Sequence, residues 1–192
     1  RGREGGAGMI AHAEALSVVR ERIANRNLVN HCVAAEIIME ALARHFELPP
    51  EDVERWALAG LLHDLDYAET ADDFERHGVV TAELLAGRID DEMLHAILAH
   101  AGKAPLESLF DRALYAADPA TGFIVAAALV RPEKDLAGVE VRSLLKRWKE
   151  KAFARGASRE QMAVCEEIGL SREEFLGISL DAMKSRAAEI GL

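Results

Sequence analysis

The segment Leu61-Leu62-His63-Asp64-Leu65-Asp66 sets an imidazole and a carboxylate side by side at the end of an apolar helical run. With a period of 3.6, His63 shares a face with Gly60 and Trp56, and Asp64 with Gly60, Ala57 and Val53. Both polar heads are therefore expected on the buried side. A buried carboxylate needs compensation, which hydrogen bonds or a divalent cation can supply. An isolated His-Asp pair also fits a plain helix end with a solvated carboxylate. The rest of the chain changes that balance, because His31, His77, His100 and Asp118 also fall on apolar faces or at helix ends. Four imidazoles and two carboxylates on different helices are the ligand types of borderline transition metals, and a helical bundle is a usual scaffold for them. Taken singly, His77 also reads as a surface histidine and His100 as a last-turn residue favoured by the helix dipole. Asp66 is read as a group that orients an imidazole. Lys103 and Arg131 are weak candidates for holding a phosphate, each with a solvated charge as its plainer reading.

The elements that must carry these groups read as helices almost throughout, rich in Ala, Leu, Glu and Arg. A first helix is expected at about 10–24 and a second from about 27 to 45 or 46. On the second, His31 is in line with Ala35, Ile38 and Leu42. A third follows Pro50, carries His63 and Asp64 and ends at about Tyr67, and a fourth spans 74–89 with His77 in its first turns. Met93, Ile97 and His100 share a face of a helix that starts at Asp91 and stops at Gly102. Pro105 opens the next helix, which leads to Asp118-Pro119, where the pre-proline position predicts a local break. The apolar stretch 122–130 follows, then a turn over 132–138 and a basic amphipathic helix at 141–155. Ser158 with Gln161 and Ser171 with Glu174 have capping-box spacing. The reading is all-α: a helical core over 9–135 and a helical extension over 136–192 packed on it. Residues 1–8 lack periodicity and precede Met9, and are set aside as a leader.

Half of the 192 residues are hydrophobic, enough for a sizeable core. Lys and Arg number 23 against 33 Asp and Glu, a net charge of -10. That charge disfavours a protein whose affinity comes from neutralising a nucleic-acid backbone. A small phosphorylated ligand remains compatible, since a metal supplies local positive charge. Cys32 and Cys165 lack ligand-like spacing and read as reduced, buried thiols. No membrane span or signal peptide is recognisable, so a cytoplasmic setting is expected.

The ordered pattern His31, His63-Asp64, Asp118, with the run Leu58-Ala-Gly-Leu-Leu-His-Asp-Leu-Asp, resembles the HD-domain superfamily of metal-dependent phosphohydrolases. The likeness covers about 27–130 and includes Tyr115-Ala-Ala-Asp-Pro, which looks most like a group of small bacterial predicted HD hydrolases. It implies that His31, His63, Asp64 and Asp118 hold one metal and that His77 and His100 add a second, with Asp64 bridging. Asp66 stands where a common subgroup has glycine, and Ala101 where it has a second histidine. The expected activity is hydrolysis of a small phosphoester, a nucleotide or related compound, by metal-activated water, with His63 and Asp64 central to catalysis. One or two divalent ions are expected; iron or manganese is favoured, with zinc and nickel not distinguished. The same six residues resemble the set of HD-fold di-iron oxygenases, which cleave C–C or C–P bonds. A ligand-binding HD protein without turnover is the third reading.

Overall fold

The computed structural model describes residues 9–192. The leader assigned to 1–8 lies outside them. Helix α1 (His12–Arg22) leads to α2 (Arg26–His45), whose first turn is capped by the Asn25 side chain accepting from the Asn27 N–H at 2.9 Å. Pro50 opens α3 (Pro50–Leu62), with Glu51 and Asp52 favourably placed in its first turn. Short helices α4 (Tyr67–Thr70) and α5 (Val79–Leu85) precede α6 (Asp91–His100) and the long α7 (Leu109–Leu129). The chain closes with α8 (Val141–Trp148), α9 (Arg159–Ala163), a 3-10 turn at Val164–Ile168, α10 (Arg172–Ser185) and a last 3-10 turn at Ala187–Ile190. The described residues form no strand, and the fold is all-α as the periodicity predicts.

The central pair is α2 against α3, which approach closely because residue 60 is glycine: a Cβ there would lie 2.6 Å from the Ala35 carbonyl oxygen. Ile38 and Leu42 of α2 and Leu58, Leu61 and Leu62 of α3 are buried in one apolar cluster, and Ala35 is buried at the α2–α3 contact. Its other members include Ile97 of α6, Phe123 of α7, and Leu144, Met162 and Phe175 from the C-terminal helices. α10 packs on α2, and α9 and the following 3-10 turn pack on α7. Cys32 and Cys165 are both free and buried.

Several boundaries differ from the sequence expectation. Helix α3 stops at Leu62 rather than near Tyr67, and the chain turns through 63–66 by short bonds such as Leu65 N–H to Leu62 O and Tyr67 N–H to Asp64 O. The cause is tertiary: the Asp66 carboxylate accepts from the N–H groups of Gly78 (2.8 Å) and Thr81 (2.9 Å), tying the turn to the start of α5. The helix expected over 74–89 begins only at Val79, because Gly78 takes φ +78. Pro105 does not open α7; Ser108 does, through a reciprocal capping box with Asp111. The break expected at Asp118-Pro119 is absent, and α7 runs through Pro119. Burial of Ala116, Ala117 and Ala120 holds that turn helical against the local pre-proline preference. Helix α8 ends at Trp148, so 149–157 is a looped segment and not a continuation to Arg155.

Candidate metal centre

Each functional side chain comes from a different place on this frame. His31 lies in the second turn of α2, His63 caps the C-terminus of α3, and Asp64 and Asp66 lie in the turn after it. His77 immediately precedes the glycine that starts α5, His100 is the last residue of α6, and Asp118 sits midway along α7. The structure brings His31, His63, Asp64, His77, His100 and Asp118 to one point.

A fixed acceptor holds Nδ1 of every one of these imidazoles. The His63 Nδ1–H donates to the Gly60 carbonyl (2.7 Å), that of His77 to Asp66 Oδ1 (2.8 Å), and that of His100 to the Ile97 carbonyl. His31 Nδ1–H donates to Thr121 Oγ1 at 2.7 Å, because the Thr121 hydroxyl spends its own proton on the Asp118 carbonyl (2.8 Å). Carbonyls and carboxylates only accept, so each ring carries its proton on Nδ1 and presents the Nε2 lone pair inward.

Those inward nitrogens meet one another and the two carboxylates. His31 Nε2 is 3.1 Å from His63 Nε2, 3.3 Å from Asp64 Oδ2 and 3.2 Å from Asp118 Oδ1. His63 Nε2 is 3.6 Å from both Asp64 Oδ1 and Asp118 Oδ1. His77 Nε2 and His100 Nε2 are each 3.5 Å from Asp64 Oδ1. Lone pairs facing lone pairs at these distances repel unless a positive charge, a metal ion or a proton on His31 Nε2, lies between them. Atoms bound to one ion at about 2.1 Å and roughly 90–110° stand about 3.0–3.4 Å apart; the three His31 separations fall in that range and the other four, at 3.5 and 3.6 Å, lie just beyond it. His100 Nε2 is buried without a hydrogen-bond partner among the described residues, an orphan that such an ion satisfies.

Two overlapping groups result, His31, His63, Asp64 and Asp118 on one side and Asp64, His77 and His100 on the other, sharing Asp64. Either group can hold a metal ion. Burial opposes charge on all these groups, but their mutual attraction prevails. Asp64 and Asp118 are held well below the usual carboxylate range by the neighbouring imidazoles, and His31 is pushed up to about 10 by Asp118 and Asp64. The field that would retain a proton at His31 also attracts a metal cation.

Asp66 is fully buried. It grips His77, and its carboxyl is lowered, against the effect of burial, by His77 and the Thr81 amide. Thr121 was not legible as a site residue: a threonine in an Ala-rich stretch carries no signal until α2 is packed against α7. The two candidate phosphate cations are not brought to the site. Lys103 Nζ lies 3.4 Å from Glu75 Oε2 and does not line the cavity. Arg131 is beyond the end of α7, packed on Gly138 and roughly 20 Å along the helix axis from Asp118. Among the other histidines, His12 bonds Glu36 and His95 bonds Asp111, both away from the centre.

A cavity of about 670 Å³ opens on the His31 and Asp118 side, where those side chains are 21% and 26% exposed and the others nearly buried. It is a volume suited to a small molecule. A family model described as HD domain matches residues 28–128, from α2 to the end of α7, and includes all six converging residues. No curated protein and no solved structure matches the chain.

Proposed function

The chain belongs to the HD-domain family, and from that premise we propose that it is a metal-dependent phosphohydrolase acting on a small phosphoester. The family's members are generally enzymes of this kind. The observation that carries the reading is the convergence of four Nε2 lone pairs on Asp64 and Asp118. His31, His63, Asp64 and Asp118 would hold one divalent ion, and Asp64, His77 and His100 a second. When bound, such ions supply Lewis acidity that activates water and offsets charge on phosphoryl oxygens. Iron or manganese suits the mixed nitrogen and oxygen donors.

The protein's own part is to hold that arrangement without movement. Ionised Asp64 and Asp118 offset cationic charge, while the bonds from Nδ1 to Gly60, Asp66, Ile97 and Thr121 aim the imidazoles. His63 is fully buried and outside the cavity lining, so substrate would meet the centre through the cavity lined by His31, Asp118, His77 and His100. The two buried free thiols fit a cytoplasmic setting, and no helix among the described residues is long and apolar enough to cross a membrane.

The oxidative reading keeps one observation in its favour: among the described residues, no Lys or Arg lines the cavity. Metal analysis of protein purified without added metal, followed by a phosphoester screen and oxygen-electrode measurements with reduced iron, separates the two. Metal-dependent phosphate release without dioxygen uptake is expected. Substrate-dependent dioxygen consumption without phosphate release would replace hydrolysis with oxygenation.

A further inference from the structure

The cavity has two walls of different origin. One is the imidazole and carboxylate set. The other comes from the chain beyond the HD-matched span, where Ala154, Gly156, Ala157 and Gln161 face the site. A single guanidinium holds this second wall. Arg159 donates to the carbonyls of Phe153 (2.6 Å), Ala157 (2.8 Å) and Ala154 (2.9 Å), with longer bonds to those of Arg147, Glu150 and Trp148. Its guanidinium carbon also sits 4.6 Å from the centre of the Phe123 ring, fully buried in α7. Ala154 takes φ +43, a conformation that needs such support. Gln161 lies at the edge of this wall, and its side-chain amide makes no hydrogen bond with the described residues.

The lining is also distinctive in charge. Asp64 and Asp118 are its acidic members, no described Lys or Arg joins them, and most of the remainder is uncharged, including Leu28, Phe74 and Ala126. Of the cations nearest along the chain, Arg159 is bound to backbone carbonyls and Lys103 lies 3.4 Å from Glu75, while Arg76 and Arg155, next to lining residues, are exposed and stand outside the lining. On the lining itself, positive charge for a substrate is available only where the ions would sit. A second or third phosphate would lie against uncharged groups, taken from water without a partner.

We propose that the site selects esters bearing one phosphoryl group on an uncharged body, and that segment 149–161 is the wall that recognises that body. Gln161 is the specificity-determining side chain and Arg159 the positioning residue. This rests on the phosphohydrolase reading. The volume of about 670 Å³ admits a body of nucleoside size.

The test uses the full chain loaded with manganese. Turnover is measured for p-nitrophenyl phosphate, glycerol 3-phosphate, the ribonucleoside 5′-monophosphates and the matching di- and triphosphates. Binding of inorganic phosphate is measured separately by calorimetry. The best single-phosphate ester should exceed every di- and triphosphate in kcat/KM by about tenfold or more. Gln161→Leu should raise KM for that ester about fivefold, the loss of one hydrogen bond, with the inorganic phosphate Kd unchanged. Gln161→Lys should shift preference toward the polyphosphates. Arg159→Gln should raise KM and speed amide exchange over 149–157 while leaving metal stoichiometry intact. If inorganic phosphate binds but polyphosphates are the better substrates, or no single-phosphate ester is turned over, or both Gln161 variants behave as wild type, the proposal is overturned and hydrolysis stands apart from it. Absence of both phosphate binding and ester turnover would overturn the phosphohydrolase reading, and the proposal with it.

Discussion

Thr121 accepts from His31 and donates to the Asp118 backbone carbonyl, so one buried hydroxyl ties the His31 imidazole to the turn of α7 that carries Asp118. Thr121→Val keeps the shape and removes both bonds. Metal affinity should fall by about 10–100-fold, the usual effect of losing an orienting partner, with the helical fold retained. Metal titration followed by circular dichroism checks both halves; unchanged affinity would return Thr121 to a packing role. A second carboxylate outside the centre gives a clean pH signature. Asp111 is buried, and although burial raises its pKa, the Ser108 amide, His95 and the Glu107 amide outweigh it and leave the group lowered. A lowered folded pKa means that its stabilisation is present above the unfolded value of about 3.9 and is lost as pH falls through the folded one. Asp111→Asn should therefore cost about 1–3 kcal/mol at neutral pH, with the gap to wild type closing as the medium becomes acidic. Denaturant melts across pH measure it, and a gap independent of pH would contradict the assignment.

At the scale of elements, the sheer closeness of α2 and α3 places His31 beside His63. Gly60 permits that approach and also lends its carbonyl to His63. Gly60→Ala puts a methyl 2.6 Å from the Ala35 carbonyl oxygen, so the helices must separate. A stability loss of about 1–3 kcal/mol is expected, together with weakened metal binding. A variant with wild-type melting temperature and affinity would show that the approach is not needed. His31 and His100 were readable from sequence because they share stripes with core residues, Ala35 and Ile38 for the first and Met93 and Ile97 for the second, whereas His77 lies in the turn before Gly78 and was legible only through the family resemblance. The end of α3 at Leu62 was not readable, since the turn after it is pulled by Asp66 bonds to residues 12 and 15 positions away. The break expected at Asp118-Pro119 is absent for a related reason: a local backbone preference gives way to burial along α7. Lys103 and Arg131 lie past the ends of α6 and α7, where the turn backbone and not the helical period sets which way a side chain leaves, so sequence proximity to His100 and to α7 does not bring them to the cavity.

For the whole molecule, the C-terminal helices complete both the core and the cavity. Phe123 of α7 is fully buried, with Trp148, Phe153 and Arg159 packed around its ring. A chain ending at residue 135 would expose this surface and the faces of α2 and α7 that α9 and α10 cover. It should lose cooperative thermal unfolding; a sharp transition with wild-type metal binding would show that the HD-matched part stands alone. The central claim is that six side chains form two cation sites sharing Asp64. Metal stoichiometry after saturation and removal of free ion tests it most directly. The account predicts two ions per chain for the wild type, one for the His77→Ala, His100→Ala double variant and none for Asp64→Ala, all three remaining helical. A wild-type chain that retains fewer than two ions at saturation, or an Asp64→Ala chain that retains two, would contradict it.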